Sequence, residues 1–333
     1  MQRLRPRLHT IFACVVLASL GTFLYISNHL ISPSQSEGTL PNFHGQPVST
    51  ATAKPEKDIN HIIAQFEKSE HRNGIIIFIH VVKCGGTSIR DNFGNNTLFP
   101  TVNYCTVFSL KQFRRAQKSI NEKLDGSKQD DTVLFVEIHG HNTPTLLDLE
   151  PTLREWRQKA KANHIPFFAF TILREPLELE VSFFNFFHVY GDKRFQQMKA
   201  SLDNFRETIQ WNPQCLYLYK GERPYFRPDK FYNVTKADCE WVAKALEELM
   251  DWIGDTKRMS TDTLPLLTRL VSSDPAKANL LKPANVAETR KQKNAPFANE
   301  QLDQFTIDLV KRMTMLDQRL YLQAVSKNDF SLS

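Results

Sequence analysis

The sequence has no GxxxxGK[ST] run, so the lysine-ended glycine loop of a Walker-type nucleoside triphosphatase is missing. Cysteine is sparse. The five present (Cys14, Cys84, Cys105, Cys215 and Cys239) form no CxxC pair and no metal-type spacing, which argues against a zinc finger or ribbon. There is no RGG tract and no basic helix, and a net charge of +6 is too small to mark a nucleic-acid binder. It favours an anionic partner only weakly. Acidic residues are missing from positions 1–9, which carry Arg3, Arg5 and Arg7. Asp, Glu, Lys and Arg are all missing from positions 10–31, a stretch of more than 20 residues and enough to cross a bilayer. With the arginines in front, the positive-inside rule predicts a cytosolic tail over 1–9, a signal-anchor over 10–31 and a lumenal remainder. A cleaved signal peptide is the alternative reading, but no small-x-small site follows the apolar run.

What is present divides the remainder in two. Residues 32–72 begin rich in Ser, Pro, Thr, Gly and Gln without hydrophobic period, as a flexible stem would. Within it, Asp58–Ser69 has helical spacing and is expected to dock on the following domain. Residues 73–333 form that domain. Its sequons, Asn95-Asn96-Thr97 and Asn233-Val234-Thr235, make Asn95 and Asn233 glycosylation candidates in a lumen. Cys215 and Cys239 are candidate disulfide partners there, with Cys105 the other candidate, and Cys84 is expected free.

From Gly74 the pattern alternates between strand and helix. Strands are predicted over Gly74–Val82, Val102–Phe108, Thr132–Ile138, Pro166–Leu173 and, last, Tyr232–Val234. Helices are predicted from Ser88, over Leu110–Leu124, within Leu146–Asn163, over Leu177–Tyr190 and Lys236–Trp252, and as one long helix over Glu300–Ala324. Such alternation implies an α/β domain with a mostly parallel central sheet covered on both faces. Ligands in these sheets bind beyond the carboxyl ends of the strands.

Three of those ends carry reactive groups. The first strand stops at Lys83-Cys84-Gly85-Gly86-Thr87-Ser88. Two glycines let backbone N–H groups approach an anion, and Thr87 or Ser88 can cap the helix that follows. The third strand ends at His139-Gly140-His141, whose i, i+2 spacing lets the two rings share a face. Neither an HxxE nor a cysteine nearby supplies a third metal ligand, so no metal is expected. The fourth strand ends at Arg174-Glu175-Pro176, with Ser182 on the next helix. Arg174 suits bidentate phosphate binding, though an ion pair with Glu175 or Glu178 would also account for it. The phenylalanines around Ser182 read as core.

Together these pieces resemble the membrane-bound Golgi carbohydrate sulfotransferases, above all the heparan sulfate/uronyl 2-O-sulfotransferase branch. Phe78-Ile79-His80-Val81-Val82-Lys83-Cys84-Gly85-Gly86-Thr87-Ser88 looks like that family's 5′-phosphosulfate loop. Leu173-Arg174-Glu175-Pro176 with Val181-Ser182-Phe183-Phe184 is similar to its 3′-phosphate motif, and His139-Gly140-His141 to its catalytic histidine pair. Met315-Leu316-Asp317-Gln318-Arg319-Leu320-Tyr321 resembles its closing helix. Cys84 departs from the usual threonine and Glu175 from the usual aspartate, and 223–230 match nothing in the family.

The resemblance implies a P-loop-like three-layer fold behind a transmembrane anchor, in a type II protein of the Golgi membrane. It implies 3′-phosphoadenylyl sulfate as co-substrate without a metal, and an anionic glycosaminoglycan as acceptor, preferably at the 2-hydroxyl of a hexuronic acid. Lys83 would stabilise the leaving oxygens, and residues 84–88 would hold the 5′-phosphate. Arg174 and Ser182 would hold the 3′-phosphate, while Arg290 and Lys291 would lie on a loop closing over the nucleotide. His141 or His139 would act as base. Relatives of this kind often assemble, so a homo-oligomer is a possible form. The alternatives are sulfation at another position, a non-catalytic tethered glycan- or nucleotide-binding protein, and a P-loop-type kinase.

Overall fold

A computed structural model describes residues 58–68, 73–94, 97–127, 130–140, 143–190, 196–221, 234–281 and 297–325. The predicted anchor over 10–31, most of the stem, Asn95, Asn233, His141, Arg290 and Lys291 lie outside the described residues. No helix among the described residues is long and apolar enough to cross a membrane.

The core is a five-stranded sheet: β1 Gly74–His80, β2 Val102–Val107, β3 Val133–His139, β4 Phe167–Leu173 and β5 Trp252–Asp255. All pairings are parallel, in the order β2-β3-β1-β4-β5. Every residue of β1, β3 and β4 is buried, as expected of central parallel strands covered on both faces. Edge strand β2 is buried fully only at its ends. On one face Phe78 stacks on Phe170 across β1 and β4, with ring centroids 4.6 Å apart. Burying one such side chain contributes roughly 1.5–3 kcal/mol.

Helices α1 Ile59–Lys68, α2 Gly86–Phe93, α3 Leu110–Leu124, α4 Leu146–Ala162 and α5 Pro176–Phe184 follow the pattern read from sequence. Right-handed crossovers send α2, which leads out to edge strand β2, to one face, and α3 and α4, which lead back, to the other. The starts of α3 and α4 are set locally. Ser109 accepts from the Gln112 N–H, and Thr145 forms a capping box with Asp148. Ile59, Ile63 and Phe66 of α1 are buried in the main core, so this helix belongs to the domain body. Further on come α6 Leu202–Thr208, α7 Pro213–Lys220, α8 Lys236–Leu249, α9 Leu264–Val271, α10 Gln304–Met313 and α11 Met315–Val325. Cys215 of α7 and Cys239 of α8 form a disulfide, while Cys84 and Cys105 are free.

Three expectations need correction. Of the predicted last strand, Tyr232 and Asn233 lie outside the described residues and Val234 precedes Thr235, the cap of α8; the last strand among the described residues is Trp252–Asp255, where the sequence pattern predicts the end of a helix at Trp252. Asp251 explains the change, because its N–H bonds the Ala169 carbonyl and its carboxylate takes the Ala169 N–H and Arg157, turning the chain onto the edge of β4. The long C-terminal helix is two helices broken at Thr314. Asn212 Oδ1 accepts the N–H groups of Leu316 and Asp317, so a residue remote in sequence caps a fresh helix start. The aromatic helix after Pro176 ends at Phe184 and continues as a wider π turn over Asn185–Val189.

Candidate active site

β1 is the strand whose helix leaves on the opposite face from those after β3 and β4, so the carboxyl ends around β1 flank the switch point of the sheet. The chain leaves β1 through a tight turn. Lys83 has φ 64° and Gly85 φ 81°, both left-handed. For a lysine this conformation costs about 1–2 kcal/mol, which the surrounding contacts must offset. One such contact is Arg174 Nη1, which donates to the Lys83 carbonyl at 3.2 Å. Another is the Phe186 ring, 3.8 Å from Lys83 Nζ. Phe186 follows Ser182 by about one helical turn and so shares its side of the helix. Lys83 and Arg174 are thus brought together, and both border the element that carries Ser182.

The cap of α2 differs from expectation. It is Gly85, with no side-chain cap, whereas Thr87 is exposed and Ser88 buried within the first turn. The helical ladder begins at Ile89 N–H to the Gly85 carbonyl, which leaves the N–H groups of Gly86 to Ser88 outside it. A helix start with two cations at hand suits an anion. The Cys84 side chain turns away from the turn's opening. Its buried thiol faces Gln214 Oε1 at 3.7 Å, and burial pushes its pKa up to about 12.

Gln214, which the sequence did not single out, pins this half of the site. Its amide oxygen takes the Arg174 N–H at 3.0 Å, and its amide nitrogen donates to the Arg174 carbonyl at 2.8 Å. Asp317 in turn accepts the N–H groups of Gln214 and Cys215, both at 2.8 Å, capping α7 as Asn212 caps α11. Glu175 accepts the Glu178 N–H as the cap of α5, while Glu178 lies 3.9 Å from Arg174 Nε and 3.2 Å from Lys257 Nζ.

The other half is built across strands. Register pairs His80 with His139, Phe78 with Glu137 and Thr106 with Glu137, so the side chains of His80, Glu137, His139 and Thr106 share a face. Buried Glu137 gathers six donors: Arg90 Nε and Nη2, the hydroxyls of Tyr104 and Thr106, and the rings of His80 and His139. His80 Nδ1 lies 2.8 Å and His139 Nε2 2.9 Å from Glu137 Oε1. Burial alone would raise the Glu137 pKa, but the hydrogen bonds and charge of His139 and His80 overcome it and hold the carboxyl far below its usual range. Burial, with the neighbouring His80, lowers His139 to about 4. Gly86 completes the fit, since a Cβ there would fall 1.9 Å from His80 Cε1. The ring of His80 therefore lies directly against the head of α2.

His139 is thus the last residue of β3, not a residue beyond it, and its partners are His80, Glu137 and Arg90. The third ligand that sequence spacing failed to supply is also present: His80, Glu137 and His139 could together hold a metal ion. Arg90 Nη2 already stands 2.8 Å from Glu137 Oε1 and 3.0 Å from His139 Nε2, and its positive charge competes with a cation there. The missed residues had signals. His80 ends an apolar strand, and Glu137 is a lone acid in the buried run TVLFVEI, where burial demands partners. Compared with protein-family models and with curated proteins, the chain matches none.

Proposed function

We propose that the protein transfers a sulfuryl group from 3′-phosphoadenylyl sulfate to a hydroxyl of a glycosaminoglycan. The observation that carries this reading is the imidazole of His80, held by an anionic carboxylate against the head of the glycine turn, three residues before Lys83. Sheet order 2-3-1-4-5 with that turn after β1 supports a P-loop-like three-layer fold. In the reaction the acceptor oxygen attacks sulfur in line. The new S–O bond forms as the bond from sulfur to the bridging phosphate oxygen breaks, releasing 3′-phosphoadenosine 5′-phosphate. His80 takes the acceptor proton, and Glu137 stabilises the resulting imidazolium. His139, buried and with a lowered pKa, is a weaker base and contributes to orientation; His141 remains a second candidate for the base. Lys83 stabilises charge on the bridging oxygen, the N–H groups of Gly86 to Ser88 the 5′-phosphate, and Arg174 with Ser182 the 3′-phosphate. Arg290 and Lys291 would close over the nucleotide. The mechanism uses no metal step.

The Cys215–Cys239 disulfide supports an oxidising compartment, consistent with a Golgi type II protein anchored by residues 10–31. The preferred acceptor position is the 2-hydroxyl of a hexuronic acid. One observation favours a second reading, a nucleotide- and glycan-binding protein without turnover: Cys84 turns its thiol to Gln214, so the turn lacks a hydroxyl there. Radiolabelled sulfate transfer to heparan, chondroitin, dermatan and desulfated acceptors, followed by disaccharide analysis, decides between them. Transfer is expected without added magnesium, and substitution Lys83→Ala should slow it by about 10²–10³. Nucleotide binding with no sulfate moved onto any acceptor would select the second reading.

A further inference from the structure

The carboxyl end of β2 carries an aromatic ring that the donor chemistry above does not use. Phe108 follows β2 directly and is 43% exposed. Preceding the cap Ser109, it occupies the position whose side chain commonly folds back onto the fourth helical residue, here Phe113. Its ring contacts run elsewhere. It lies against His139, with centroids 4.3 Å and planes 31° apart, and Arg90 Cζ is 5.5 Å from its centroid. The Phe108 N–H is fixed by Gln112 Oε1 at 2.8 Å, so the backbone under the ring is anchored. Beneath it, the buried Nδ1 of His139 has no hydrogen-bond partner among the described residues. Arg90 spends Nε and Nη2 on Glu137, while its side chain remains 36% exposed.

An open aromatic face, backed by a buried imidazole, beside a cation with an accessible edge complements an acidic sugar ring. The C–H face of a pyranose is apolar, its carboxylate is anionic, and its hydroxyls seek hydrogen-bond partners. We infer that Phe108, Arg90 and His139 form the subsite for the uronic acid ring of the acceptor. The C–H face lies on the exposed face of Phe108, the carboxylate meets the edge of Arg90 not engaged by Glu137, and His139 backs the aromatic ring from beneath. The inference rests on the sulfotransferase reading and specifies how its acceptor is held, on the β2–β3 side of the turn and away from Arg174.

The test measures binding by the full-length chain of a hexasaccharide alternating glucuronic acid and N-sulfoglucosamine, of its carboxyl-reduced form, and of 3′-phosphoadenosine 5′-phosphate. Phe108→Ala should weaken hexasaccharide binding about tenfold and leave nucleotide binding unchanged, and Phe108→Trp should recover it to within about threefold. Carboxyl reduction should weaken binding to the unsubstituted protein by a similar factor. Hexasaccharide affinity unaltered by Phe108→Ala overturns the subsite even if sulfate transfer is observed. Binding that depends on Phe108 in a protein that moves no sulfate upholds the subsite and removes the transferase reading.

Discussion

Glu137 and Asp317 are carboxylates shut equally away from water, and their pKa values end on opposite sides of the usual carboxylate range. Burial raises the pKa of both. Around Glu137 the six donors from Arg90, Tyr104, Thr106, His80 and His139 outweigh that cost, and the acid stays anionic. Asp317 has the two backbone N–H groups of Gln214 and Cys215, too little to overcome burial, and its pKa is pushed up to about 7. Fully buried Glu180, whose own pKa is raised by burial and by Asp317, adds no compensating cation. A buried acid's state is therefore set by the donors that face it. Glu137 fixes the imidazoles of His80 and His139, whereas Asp317 holds the frame behind Arg174.

The largest expected break in this comparison is Glu137→Gln. It leaves Arg90 without its counter-charge and turns an amide N–H toward donors, so urea unfolding should show a loss of about 3–5 kcal/mol. A loss below about 1 kcal/mol would mean that the six donors do not act together.

The two carboxylates should also give opposite responses to pH. Glu137 has a lowered pKa, so the unfolded chain binds the extra proton below the usual carboxylate range, and its contribution is lost as pH falls. His139, lowered from 6.5 to about 4, acts in the same sense, because unfolding takes up a proton between those values. Asp317, raised from 3.8 to about 7, acts oppositely: the native state keeps a proton that the unfolded chain has released, and stability is lost as pH rises from 3.8 to about 7. The slope approaches about 1.4 kcal/mol per pH unit for one group. Asp317→Asn removes the falling contribution, so between pH 4 and 7 the variant's stability should rise more steeply with pH than that of the unsubstituted protein, with the acid side unchanged. An unaltered pH profile of stability would show that Asp317 is already ionised in the native state.

A smaller effect is expected at Gln214, the link between the Asp317 cap and the donor half. Gln214→Leu strands the Arg174 N–H and carbonyl, at a cost of about 1–3 kcal/mol. It should also weaken binding of 3′-phosphoadenosine 5′-phosphate more than binding of adenosine 5′-phosphate, since Arg174 is assigned to the 3′-phosphate. Equal weakening of both nucleotides would separate Gln214 from that assignment.

The two halves were unequally visible in the sequence. Lys83 and Arg174 end apolar, β-branched or aromatic runs, and a parallel sheet must bring such ends to one rim; the runs themselves made β1, β3 and β4 legible. The histidine cluster depends on register. Nothing local says that His80 pairs with His139, or that Glu137 lies opposite Thr106, until the strands are aligned. Spacing within one strand pointed instead to His139 and His141, because i, i+2 is the only neighbour relation a single strand reveals. Four-residue β5 carries too short a pattern to be read, and the break at Thr314 comes from Asn212, about a hundred residues away in sequence. The disulfide pair lay among three candidates that chain order could not separate.

The most direct measurement is single-turnover sulfate transfer from 3′-phosphoadenylyl sulfate by the unsubstituted protein and by His80→Ala, each first shown to bind 3′-phosphoadenosine 5′-phosphate with the same affinity. A carboxylate-oriented base at His80 requires a rate loss of about 10²–10⁴ on the substitution, with donor binding retained. Transfer by His80→Ala at the unsubstituted rate would contradict it.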